Sequence, residues 1–133
     1  GQNKIENAFS LMSSAAAVMP ENRALNYKYA EVLILNKQPA QAELTVRQFL
    51  RNNPRDVSGW RLMQQSANAD NSSALRSVNV LRYRAEVEFW TGNEENAIKS
   101  LLHAKRLAKE RKSLETVIDQ RLREMQKDRQ LTV

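Results

Sequence analysis

The sequence has no cysteine, one histidine, three glycines and three prolines among 133 residues. Without cysteine there is no disulfide frame and no thiolate zinc site, and the redox compartment stays open. The single histidine, His103, cannot supply the three or four ligands a zinc ion needs, and it has no second histidine beside it. It reads as an ordinary surface or packing residue. No glycine-rich phosphate loop, H-E-x-x-H pair or nucleophile elbow is present, so nothing supports an enzyme within these residues. So little glycine and proline argues against an all-β sandwich and suits long helices joined by tight turns. No apolar run approaches the roughly 20 residues that cross a bilayer. The chain opens Gly1-Gln2-Asn3-Lys4, with neither an initiator methionine nor a signal peptide. It reads as an N-terminally truncated piece of a longer protein.

What is present is a helix-forming composition. Hydrophobic residues make up 41 % of the chain, enough for a packed core. The length suits one domain, residues 1–133. The formal charge is +6 and the pI near 9.9. That balance permits a nucleic acid, anionic lipid or acidic protein as partner without selecting among them. The excess lies late, in Lys99, Lys105, Arg106, Lys109, Arg111 and Lys112, answered nearby by Glu110.

The chain also repeats. Pro20 and Pro54 are 34 residues apart, as are Ala8 and Ala42, and each alanine precedes its proline by 12. A 34-residue period is that of the tetratricopeptide repeat, a helix-turn-helix unit. Its eighth and twentieth positions are small because two helix axes about 8–10 Å apart leave no room for bulk at the crossing. Residues 23–54 fit. Ala30 falls on the eighth position, Leu33 on the eleventh, Ala42 on the twentieth, Val46 on the twenty-fourth, Phe49 on the twenty-seventh and Pro54 on the thirty-second. Pro39 suits the first turn of the second helix, where its missing N–H costs nothing. The next unit opens at Val57 with Asp56 as N-cap, and carries Trp60, Met63 and Ala67 at its fourth, seventh and eleventh positions.

The period then slips. A regular array needs a small residue at position 76, which is Arg76, and the pattern resumes 21 residues later at Ala97. Ala85 precedes Ala97 by 12, with Gly92 as helix stop and Asn93 as N-cap between them. One long helix over about 73–91, shared by the second and third repeats, accounts for the slip and would bend the superhelix. Residues 4–19 read as the second helix of a repeat lacking its first, with Ala8, Met12 and Ala15 on its core face. That helix is expected to expose apolar surface and could drive dimerisation. Residues 113–129 read as a capping helix with Ser113 as N-cap and Leu114, Val117, Ile118, Leu122 and Met125 on one face. The expected fold is all-α: a tetratricopeptide-repeat superhelix of about seven antiparallel helices, with one shared helix and a C-terminal cap.

Repeats of this kind bind proteins or peptides along a groove lined by the first helix of each unit. Its fifth, ninth and twelfth positions are Tyr27, Glu31 and Ile34, then Arg61, Gln65 and Asn68, then Arg82, Glu86 and Phe89. Arg61 and Arg82 could each hold a carboxylate through paired hydrogen bonds. The alternative is that these charges only solvate an exposed face. The chaperone-tail clamp, which needs asparagine at the ninth positions, is excluded by Glu31, Gln65 and Glu86. Phe49, Trp60 and Trp90 read as core, and Phe89 alone as groove. The competing site is the basic patch of Lys105, Arg106 and Lys109, for nucleic acid or anionic lipid. It has no interleaved aromatics for stacking bases, which weighs against nucleic acid.

One resemblance is more specific. Asn52-Asn53-Pro54, Gly59-Trp60, Leu81-Arg82-Tyr83-Arg84-Ala85-Glu86, Gly92-Asn93 and Ala97-Ile98 follow one another, then a basic helix and a terminal helix rich in arginine, leucine and acids. That order resembles the C-terminal repeat domain of the β-barrel assembly-enhancing protease and its relatives, over essentially the whole chain. The resemblance implies a periplasmic scaffold attached to a zinc metallopeptidase domain lying upstream. Zinc would belong to that domain, and no cofactor to these residues. The implied partners are the outer-membrane β-barrel assembly machinery, unfolded barrel proteins and the chain's own peptidase domain. A tetratricopeptide adaptor of an unrelated complex is the alternative.

Overall fold

The structure is a computed structural model and describes residues 2–131. Those residues form seven α-helices and no strand. They are α1 (Gln2–Val18), α2 (Arg23–Leu35), α3 (Pro39–Leu50), α4 (Val57–Ala69), α5 (Arg76–Trp90), α6 (Glu94–Leu107) and α7 (Lys112–Leu131). Each helix packs on its neighbours in sequence, and α4 also reaches back to α2. Nearest-neighbour packing of this kind defines a helical-repeat array.

The punctuation follows local chemistry. Asn22 caps α2 by accepting from the Leu25 N–H at 3.0 Å, and Asp56 caps α4 by accepting from the Gly59 N–H at 3.3 Å. Pro39 sits in the first turn of α3. The turn before it passes through Lys37 at φ 63°, and the turn before α6 through Gly92 at φ +93°. Glycine takes that left-handed conformation without the steric cost a Cβ brings.

Other ends differ from expectation. The shared helix starts at Arg76 rather than near 73, because the Ser73 hydroxyl accepts from the Leu75 N–H at 3.1 Å and holds a turn there. Asn93 occupies the cap position of α6, but its side chain makes no capping bond. Ser113 does not cap α7, which starts one residue earlier. The Glu115 carboxylate reaches back instead to the Glu110 N–H at 3.0 Å.

The small residues do what the period requires. Ala30, Ala42, Ala85 and Ala97 are fully buried, as are Leu33 and Val46 to within 1 %. In α1 the core face is displaced by one residue: Phe9, Met12 and Ala16 pack inward, Ala15 is half-buried and Ala8 is exposed. Spacings of three and four put 9, 12 and 16 on one face. Leu11 and Val18 are 72 % and 79 % exposed on the remainder of that helix.

Two hydrophobic clusters result. The first gathers α1 to α4 and takes in Tyr83 from α5; the second joins Val78, Ala85 and Phe89 of α5 to α6 and α7. Thus α5 serves both sides, as the slipped period implies.

Candidate protein-binding surface

Two shallow cavities, of about 360 and 470 Å³, run together over α2, α4 and α5. The first is bordered by Arg23, Tyr27, Glu31, Ser58, Arg61 and Gln65; the second adds Gln64, Asn68 and Val80, and both share Arg61 and Gln65. Of the nine groove positions expected, Tyr27, Glu31, Arg61, Gln65 and Asn68 therefore border one trough.

The other four do not. Ile34 is half-buried against the first cluster. Arg82 donates to the Asn79 side chain at 2.9 Å and lies 5.6 Å over the Tyr83 ring, in a separate pocket of about 120 Å³. Glu86 and Phe89 are only 7 % and 6 % exposed, because α7 covers them. Arg121 of α7 grips both Glu86 oxygens, at 2.6 and 2.9 Å, and stands 5.2 Å over the Phe89 ring. The expectation that Phe89 lines the groove is thus overturned, whereas Trp60 and Trp90 pack against the first and second clusters as expected. Phe89 is core, while Trp60 and Trp90 are half-buried beside open clefts.

The trough is held from its end. Asp56 accepts from Arg23 Nε at 2.5 Å and from a terminal guanidinium nitrogen at 3.1 Å while also capping α4. The Arg23 hydrogen bond outweighs burial and draws the Asp56 carboxyl below its ordinary value. Beside it the Tyr27 hydroxyl is buried with no hydrogen-bond partner. Burial, and after it the Asp56 charge, push the Tyr27 pKa well up. Gly59 is what lets α4 come so close: a Cβ there would stand 2.7 Å from Leu50 Cδ2 and also meet the Tyr27 hydroxyl. Arg23, Ser58 and Gln64 escaped the positional reading because it counted only the inward positions of each first helix. Arg23 and Asp56 lie 33 residues apart, close to one period, which was the available signal.

Along the trough Arg61 is exposed and has no carboxylate partner among the described residues. Glu31 reaches Lys28 at 3.9 Å, a solvent-exposed pair of little energetic weight. Asn68 accepts from Arg76 through both its carbonyl and its side-chain oxygen, at 2.7 Å each, which leaves exposed Arg61 and Gln65 at the middle of the trough to hydrogen-bond an extended polypeptide.

The basic patch is weaker than its sequence suggests. Lys105 is 2.8 Å from Asp119 of α7, so the run is answered by more than Glu110. Arg106 and Lys109 are exposed, as is His103. Among the described residues no group of three His, Cys, Asp or Glu could hold a metal ion, and no helix is long and apolar enough to cross a membrane.

A stack of helix pairs with an open surface of this kind is a protein-interaction module. Residues 1–66 match the family model of the tetratricopeptide repeat. The described residues form an all-α, tetratricopeptide-like helical-repeat fold, of which the first half carries the family match. No curated protein and no solved structure matches it.

Proposed function

We propose that the trough over α2 and α4 binds an extended segment of a partner protein, and that the chain serves a periplasmic metallopeptidase in outer-membrane β-barrel assembly and quality control. The observation that carries peptide binding is the continuity of Tyr27, Glu31, Arg61, Gln65 and Asn68 along one open surface, with Arg61 uncommitted to any acid among the described residues. The periplasmic setting, the peptidase and the assembly machinery rest on the resemblance carried by the 52–60, 81–86 and 92–98 stretches. By the same resemblance, zinc would sit in the peptidase domain.

The test is a photo-crosslinking amino acid at Arg61 in the full-length protein in its native cell. Capture of assembly-machinery subunits or unfolded barrel proteins is the expected result. Capture of the protein's own peptidase domain alone would turn the trough into an intramolecular, regulatory contact. Capture at Lys109 with none at Arg61 would move binding to the basic face and overturn the assignment.

A further inference from the structure

A second cleft, of about 540 Å³, opens where α3 and the start of α4 face α5 and α7. It lies beside the shared helix. The array is one helix short at that point, because α5 completes the repeat before it and opens the one after. Arg51 and Arg55 stand on one wall and Arg121 on the other, with Trp60, Trp90 and Pro54 among the apolar lining.

The charges are unequal. Arg121 is committed to Glu86 and Glu124, and Arg47 at the same cleft to Glu43. Arg51 and Arg55 have no carboxylate partner among the described residues. Arg55 is held with its guanidinium 5.4 Å over the Trp90 ring, so its planar fork is already oriented beside apolar surface.

We propose that this cleft binds an acidic peptide segment, with carboxylates on Arg51 and Arg55 and an apolar side chain against Trp60 and Trp90. Guanidinium groups grip carboxylates through two parallel hydrogen bonds, and Arg51 and Arg55, on the segment between α3 and α4, line the same cleft. The aromatic faces argue against nucleic acid. Trp90 is flanked by Arg55, by Arg121 at 5.7 Å and by the Phe89 ring at 4.8 Å, while Trp60 tilts against Tyr83 at 6.1 Å. A base would have to displace Arg55 or Arg121 to stack face-on with Trp90, whereas an aliphatic side chain needs only the part of each ring that lines the cleft. The site is separate from the trough, and its occupancy does not depend on where the protein resides.

Trp60 and Trp90, the only tryptophans in the chain, both line this cleft, so tryptophan fluorescence responds to its occupancy, and the Arg51→Glu variant ties the response to this cleft. The experiment titrates the 133-residue protein with a blocked hexapeptide alternating Glu and Leu, with its Gln-for-Glu counterpart, and with a single-stranded oligonucleotide. A saturable change with the acidic peptide is expected, at least tenfold weaker for the glutamine version. Arg51→Glu, an exposed substitution away from the core, is expected to weaken it at least fivefold; Arg51→Glu with Arg55→Glu should abolish it. Arg106→Glu with Lys109→Glu, on the basic patch, should leave it unchanged. Circular dichroism checks that each variant is folded. Equal binding of both peptides, insensitivity to Arg51→Glu, no saturation, or tighter binding of the oligonucleotide would each overturn the proposal.

Discussion

Gly59 and Tyr27 form the tightest single-residue constraint in the molecule. The glycine lies in the first turn of α4, where alanine would be favoured by about 1 kcal/mol on helix propensity alone. It persists because a Cβ would press on Leu50 and the Tyr27 hydroxyl, both of them buried. Gly59→Ala should therefore destabilise the fold by about 1–3 kcal/mol, as overpacking does. Tyr27→Phe removes a buried hydroxyl that has no partner and should be neutral or slightly stabilising. The two are coupled: with the hydroxyl gone the added methyl has more room, so the double variant should lose less than the sum. Urea midpoints of the four proteins measure this, and simple additivity would show that Leu50 alone sets the limit.

At the scale of the element, α7 is docked by both apolar and ionic contacts. Ile118, Leu122 and Met125 are buried in the second cluster, and Arg121 clamps Glu86 through both carboxylate oxygens. Burial opposes the charge on Arg121, but Glu86 and Glu124 outweigh it and raise its pKa. Arg121→Ala strands the Glu86 carboxylate under α7 and should cost about 2–4 kcal/mol, somewhat below a fully buried pair because Arg121 is a quarter exposed. Glu86→Leu combined with Arg121→Met should recover most of that, since a well-packed apolar pair replaces a buried ionic one at little loss. Thermal unfolding of the single and double variants separates the two outcomes. Should the double variant be as unstable as Arg121→Ala, the clamp would matter for its geometry rather than its charge.

Across the whole molecule, Tyr83 ties the shared helix α5, which also carries Val78, Ala85 and Phe89 of the second cluster, to the first cluster. It is 3 % exposed, belongs to the first cluster although it sits on α5, and donates its hydroxyl to Glu43 of α3. Burial, and after it the Glu43 carboxylate, push its pKa up from 10.0 to about 12. A phenol whose folded pKa is raised is favoured as the neutral form in the fold. Its contribution to stability is whole below pH 10 and is lost as pH rises towards 12. Two pKa units set a ceiling of about 3 kcal/mol. Urea unfolding between pH 9 and 11.5 should show stability falling more steeply in the parent protein than in Tyr83→Phe. Parallel curves would mean the hydroxyl is not protected by the fold. Because a repeat array is held by nearest-neighbour interfaces, Tyr83→Ala should also separate the unfolding of the two halves into distinct steps.

Local pattern alone determined much of this protein. The 34-residue spacing, the alanines at helix crossings, the Asp56 cap and the stop at Gly92 all follow from short-range sterics and hydrogen bonding, which a sequence displays directly. So does the slip after Arg76, which marks α5 as the helix common to both clusters. What only the tertiary structure decided is which faces remain open. Glu86 and Phe89 occupy groove positions by count, yet α7 returns across 35 residues and covers them. Lys105 belongs to a basic run by count, yet Asp119 pairs with it from α7. The arginine–tryptophan cleft draws on residues 47–60, 86–90 and 121–124, which no periodicity brings together. Period and capping depend on residues a few positions apart; exposure and charge pairing depend on how distant helices dock, and a docking helix can close a surface that its own repeat leaves open.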